Sequence, residues 1–217
     1  MTNVDGTSLD KRYFTAVTKN FLHSLFSQCT ITLNGTTVTQ AADLYQHRAY
    51  LETLLTYGTD TAASHLTNAL WYPDGGDMPP CDSTKADSKN EEFVTCWNRI
   101  KQSKEFKLYG RIHSDLSNVA QFLISGVKLQ TKFMKTKITF FLMNTNAESK
   151  MTFQFLETQL IVNRVRPNSA ILLVQTMTPG KGVPAIYNLT SVELKTFTFS
   201  SGSQSLSIYN AIIGPIP

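Results

Sequence analysis

The chain has 217 residues, of which 41% are hydrophobic, 11% aromatic and only 17% charged, a length for one large domain or two small ones with a sizeable core. Thirteen Phe and eight Tyr among so few charges exclude disorder throughout, and no apolar run reaches the roughly 18–20 residues of a membrane span. The net charge of +4 is mild, short of the clustered excess of a nucleic-acid-binding protein, so no specific nucleic acid is expected as a partner.

Threonine accounts for 27 positions, and β-branched residues favour pleated surfaces, so the composition leans to β. The N-terminus, MTNVDGTSLDKRYF, is polar from its first residue and does not read as a secretory signal. An intracellular location, cytoplasm or nucleus, is the expectation. Cys29, Cys81 and Cys96 are odd in number, far apart and without zinc-ligand spacing, so free thiols are expected.

After a polar lead-in, KRYFTAV offers a short strand. Ile31 and Leu33 then alternate with Thr30 and Thr32 up to Asn34-Gly35, a strong hairpin signal, with Val38 beyond it. From 41 to 57 the period changes to that of a helix, with Leu44, Leu51, Leu54 and Leu55 on one face and Gly58 placed to cap it. TAASHLTNALWY reads as a shorter helical or irregular stretch. Residues 73–92 are turn-rich and almost free of aliphatics, which predicts an exposed loop. Strand patterns then resume in EFKLYGRIHSDL, VKLQTKFM, KITFFLM, KMTFQFLETQLIVNRV and AILLVQTM. In SVELKTFTF the apolar phase switches between Leu194 and Phe197, as a β-bulge would appear, and SQSLSIYNAI closes the series. Nine or ten strands with one inserted helix predict an all-β sandwich or jelly roll.

Candidate chemistry is sparse. The chain has no phosphate-binding glycine loop, no H-E-x-x-H and no G-x-S-x-G. In Arg111-Ile112-His113-Ser114-Asp115, a strand would put Arg111, His113 and Asp115 on one face, allowing a His–carboxylate pair, but no nucleophile goes with it. A solvated polar face or a subunit contact explains the string as well. Cys29 with His23 or His47 could act as a nucleophile, yet it lies in an apolar strand where a buried, inert thiol is common. Asp74, Asp77 and Asp82 lack calcium-loop spacing. Arg48 and Glu52 at i, i+4 read as a surface ion pair. Lys128, Lys132, Lys135 and Lys137 read as a solvated or edge-protecting face, with a genome- or lipid-facing patch as the rival. The sequons at Asn34 and Asn188 carry little weight without a secretory route. The predicted catalytic, cofactor-binding and metal sets are therefore empty, and a non-enzymatic role is expected.

The strings NFLHSLFSQ (20–28), Asn34-Gly35, YQHRAYLETLLTYG (45–58), SHLTNALWY (64–72) and GRIHSDL (110–116), followed by VKLQTKFMKTKITFFLM and SVELKTFTFSSGSQSLS, carry a resemblance. Together they resemble the major capsid protein of Polinton (Maverick) elements and adintovirus-like viruses, collinearly over nearly the whole chain. The resemblance implies a double jelly roll, with two eight-stranded sandwiches side by side and three subunits forming a pseudo-hexagonal capsomer. It also implies a shell-building role without catalysis, a virion or capsid location, and a minor or penton capsid protein as a further partner.

By that comparison residues 1–168 form most of a first roll, with the helix 41–57 and the loop 73–92 at a capsomer end, and 169–217 begin an incomplete second roll. Family members extend beyond both ends, so the chain reads as an internal fragment: a viral, transposon-borne or host-retained copy, with a truncated copy that no longer assembles as the alternative. The rival function is a jelly-roll module binding a glycan or peptide, with Trp71, Tyr72 and Trp97 stacking on the ligand. An enzyme using Arg111, His113 and Asp115 is a third.

Overall fold

The computed structural model describes residues 1–3, 6–8, 15–39, 43–72, 91–144, 151–180, 184, 186–198 and 201–202. The strands are β1 (Thr2–Asn3), β2 (Thr15–Val17), β3 (Phe26–Leu33), β4 (Thr36–Thr37), β5 (Leu129–Lys135), β6 (Leu142–Asn144) and β7 (Met151–Thr152). The helices are α1 (Phe21–Ser24), α2 (Tyr45–Thr56), α3 (Thr59–Ala63), α4 (Glu91–Ile100), α5 (Ile138–Phe141) and α6 (Ser169–Gly180).

Pairing follows one plan. β1 pairs with β7, β2 with β6 and β3 with β5, all antiparallel. The partners are nested: the outermost ladder joins Thr2 to Thr152, the next Thr15 to Asn144, the innermost Phe26 to Lys135 and Leu33 to Leu129. The outgoing and returning halves thus run as an antiparallel ribbon, with α2, α3 and α4 inserted before the return. A tight turn closes β3 onto β4, where Asn34 (φ 49°) and Gly35 (φ 86°) adopt the left-handed backbone of a two-residue hairpin. Asn34 Oδ1 also accepts from the Lys128 amide at 2.8 Å, fixing the start of β5 beside the turn.

The main core lies where the ribbon meets α1 and α4. Ala16, Val17, Phe21, Leu25, Leu70, Cys96, Ile100 and Phe141 are buried together there. Phe21 is its hub, with the rings of Phe106, Phe141 and Phe153 at 6.0, 5.6 and 5.7 Å. Cys29, Ile31 and Tyr45 form a second cluster between β3 and α2.

Several sequence expectations change. The helix predicted at 41–57 is described over Tyr45–Thr56, and its leucine face is not its packed face. Leu51, Leu54 and Leu55 are exposed, whereas Tyr45, Gln46, Ala49 and Thr53 are buried. Gly58 has φ −81° and precedes α3, so it is not a left-handed cap. Of the predicted loop 73–92, residues 73–90 lie outside the described residues, and Glu91 and Glu92 open α4. EFKLYGRIHSDL forms no strand: it has no regular structure up to His113, and Asp115 and Leu116 turn into a short 3-10 helix, Leu116–Asn118.

AILLVQTM, read as a strand, is α6. A short continuous apolar run does not distinguish the two states, and Asn168 Oδ1 accepts from the Ala170 amide at 3.4 Å at the helix start. SVELKTFTF is unpaired as far as it is described, so its predicted bulge has no ladder. A bulge occurs instead in β3, between Phe26 and Gln28. SQSLSIYNAI lies outside the described residues. The described strands therefore make a small three-stranded antiparallel sheet, β4-β3-β5, and two two-stranded ladders, accompanied by several helices.

Candidate functional site

A buried polar cluster lies between α1, α2 and the segment 110–118, under the residues around 192. α2 contributes Tyr45, Arg48 and Glu52, which recur at three- and four-residue spacing and so share one side of the helix. Gln46 turns toward β3: with its amide nitrogen facing inward, it donates to the carbonyls of Phe26 and Ser27 at 3.1 Å each, beside the bulge. Polar anchoring of this kind explains why α2 buries its polar side and leaves its leucines in solvent.

Arg48 is the hub. Its Nε donates to Glu52 Oε1 at 2.7 Å and its Nη2 to Asp115 Oδ1 at 2.6 Å. Burial alone would lower its pKa, but the bonds from Asp115 and Glu52 outweigh that and raise it. His113 Nδ1 lies 2.8 Å from Glu52 Oε2. Burial tends to raise the Glu52 pKa, and the hydrogen bonds from Arg48 and His113 win and hold it below the usual carboxylate range. For His113 the balance falls the other way: burial lowers its pKa and Glu52 only partly restores it.

His23, on α1, joins from the other side. Its ring is edge-on to His113 with centroids 4.7 Å apart, and its Nδ1 is 3.1 Å from Tyr45 Oη. Burial, and then the neighbouring His113, push its pKa down to about 3. Tyr45 Oη also faces the His113 amide at 3.5 Å, and burial raises the phenol's pKa. Gly110 makes the close approach possible: a Cβ there would stand 2.7 Å from Leu22 Cδ2 and 3.1 Å from His23 Nε2.

Ser114 and Ser117 close the turn after His113. Ser117 Oγ accepts from the Ser114 amide at 3.1 Å, and its hydroxyl points to the Ile112 carbonyl. Asp115 Oδ1 accepts from the Val192 amide at 3.3 Å, so the residues around 192 are fastened over the cluster. What remains is a pocket of about 40 Å³ lined in part by Cys29, Tyr45, Arg48, His113 and Val192, enough for about one water and too small for a substrate.

The sequence candidates are redistributed accordingly. A His–carboxylate pair exists, but the partner of His113 is Glu52, sixty-one residues away, and Asp115 is taken by Arg48. Arg111 is exposed and donates to the Ser117 carbonyl at 2.7 Å. The Arg48–Glu52 pair is no isolated surface pair: its side chains are only 15% and 23% exposed, and two further charged or titratable groups join it. Only the third member of each interaction, distant in sequence, was beyond reach of spacing arguments.

Cys29 is buried, and burial raises its thiol to about 11 despite the opposing effect of Arg48, so it stays protonated and unreactive at neutral pH. His47 is exposed and meets the edge of Phe140 at 5.5 Å. Cys81, Asp74, Asp77 and Asp82 lie outside the described residues. Among the described residues no group of three or more His, Cys, Asp or Glu is placed to hold a metal ion, and no helix is long and apolar enough to cross a membrane.

The aromatic candidates for ligand stacking are engaged internally. Trp71 is 5% exposed, 5.1 Å from the Tyr50 ring and under Lys19 Nζ at 4.7 Å, while Tyr72 and Trp97 pack against the main core. Of the lysines, Lys132 lies opposite Thr30 on β5, which is an edge strand among the described residues, and Lys135 Nζ sits 4.7 Å over Phe155. That placement fits edge protection.

Comparison of the chain with protein-family models, with curated proteins and with solved structures returned no match.

Proposed function

We propose that the chain is a structural, non-catalytic protein of the jelly-roll capsid type, self-associating into trimeric capsomers through its β-sandwich faces. The observation that carries this reading is the nested pairing of β1 with β7, β2 with β6 and β3 with β5. A jelly roll is such an antiparallel ribbon rolled up on itself, and the insertion of α2–α4 falls where the resemblance to Polinton-type capsid proteins puts the inserted helix. On this reading residues 1–168 are the first roll and 169–217 the start of a second.

A further feature supports association. Leu156, Leu160, Ile161, Val162 and Val165, in the stretch before α6, and Ile171, Leu173, Val174 and Met177, on α6, are each more than half exposed. Large apolar side chains exposed in this number point to an association face. A minor or penton capsid protein is the expected second partner, and the virion the expected location.

Size exclusion with light scattering across protein concentration tests the reading. A discrete trimer, or larger regular assemblies, is expected, and Ile161→Lys with Val162→Lys should shift it toward monomer. A monomer at every concentration would overturn it.

A further inference from the structure

We propose that His23 and His113 form an acid-sensitive latch, whose protonation releases α2 from α1 and the 110–118 segment and frees the residues around 192. The two rings are 5% and 8% exposed and stand edge-on at 4.7 Å. Each already has an Nδ1 partner of fixed polarity. Glu52 is a carboxylate acceptor, so neutral His113 carries its proton on Nδ1 and a second can enter only at Nε2. Tyr45 Oη accepts the His113 amide and turns its own proton toward His23 Nδ1, so neutral His23 carries its proton on Nε2. A proton added to His23 arrives at Nδ1 and removes the acceptor of a buried phenol.

The surrounding charges offer no compensation for two such protons. From α2 come Arg48, Glu52 and the neutral Tyr45, from the 110–118 segment Arg111 and Asp115, and from β3 the neutral Cys29. On the overlying residues Glu193 and Lys195 pair with each other at 3.8 Å. Three positive and three negative charges thus surround the histidines, Glu193 and Lys195 offsetting each other. The first imidazolium is partly offset by Glu52; the second would stand in ring contact with the first, beside a pocket of about 40 Å³ with room for little water.

The contacts at stake are local. His23, Tyr45, Glu52, His113 and Asp115 hold α2 and the residues around 192, whereas the Phe21 cluster and the β3–β5 ladder contain none of them. Acid therefore opens one side of the molecule before the other.

Hydrogen exchange on the wild-type chain from pH 7.5 to 4.5, corrected for the intrinsic pH dependence of exchange, tests this together with NMR titration of the imidazoles. The opening constant of amides 45–56 should rise about tenfold per pH unit for each proton taken up below about pH 6, with β3 and β5 still protected. In His23→Gln and His113→Gln the dependence should flatten. Unchanged α2 protection down to pH 4.5 would overturn the proposal. So would both imidazoles titrating near their ordinary value with α2 still protected, or simultaneous loss of protection in α2, β3 and β5. If either variant fails to fold, the wild-type exchange and titration decide alone.

Discussion

At the scale of single residues, the polar cluster sets what each substitution does. Asp115→Ala leaves the guanidinium of Arg48, only 15% exposed, with one carboxylate in place of two. Removing one partner of a buried pair costs about 3 kcal/mol or more, because the remaining charge stays desolvated; with some solvent access here, about 2–3 kcal/mol is expected in urea denaturation. Replacing Arg48 and Asp115 together by Met and Leu should recover most of that loss. Gly110→Ala would push Leu22 and His23 away from the 110–118 segment and should cost about 1–3 kcal/mol, the usual range for overpacking.

Acid acts through the same groups. His23 has a folded pKa of about 3 against an ordinary 6.5, so between those values the unfolded chain binds the proton that the folded chain refuses. Stability is therefore full above about pH 6.5 and falls as pH drops toward 3, by up to about 1.4 kcal/mol per pH unit for each such histidine. His113 adds in the same direction. Glu52, with its lowered pKa, contributes stability above the ordinary carboxylate pKa that is lost further into acid. Melting temperatures between pH 8 and 4 should therefore decline, less steeply in His113→Gln.

At the scale of elements, what the sequence made legible depended on how local its cause was. The Asn34-Gly35 hairpin was readable because two adjacent residues determine the turn, and β5 because alternation over seven residues matched its pleat. The position of α2 was readable from its period, but its orientation was not. Leucine spacing pointed to one face, while Gln46, Arg48 and Glu52 find partners on β3 and at residues 113–115 that no window of sequence contains. The helix α4 went unread because it adjoins a polar stretch, although Cys96 and Ile100, at i and i+4, are both buried. An uninterrupted apolar run made α6 ambiguous, as such runs are. The orientation of α2 is directly testable. Leu51→Asp with Leu55→Asp should fold with little change in melting temperature, since these side chains are 42% and 83% exposed. Ala49→Asp, fully buried against the rest of the molecule, should abolish folding in the same assay.

Across the whole molecule, cohesion is uneven, and that unevenness has a measurable consequence. One aromatic cluster draws together β2, α1, α4, α5 and Phe153, so elements from both halves of the ribbon share a single core. Beyond Phe155, residues 156–168 form no regular element, with Leu156, Leu160, Ile161, Val162 and Val165 exposed and no ladder among the described residues. Among the described residues it returns where Tyr187 Oη accepts from the Ile124 amide at 3.0 Å and where the Val192 amide reaches Asp115. Local opening is cheapest where buried apolar contacts are fewest. Limited proteolysis at neutral pH should therefore cut within 156–168 before it cuts within α1, α2, β3 or β5. The downstream piece should stay attached through Tyr187 and Val192 until acid weakens the Asp115 side. Protection of 156–168 at high protein concentration, with cleavage restored on dilution, would tie this same surface to self-association. Cleavage first within β3 or α2 would mean that the core, rather than the open segment, is the weaker part.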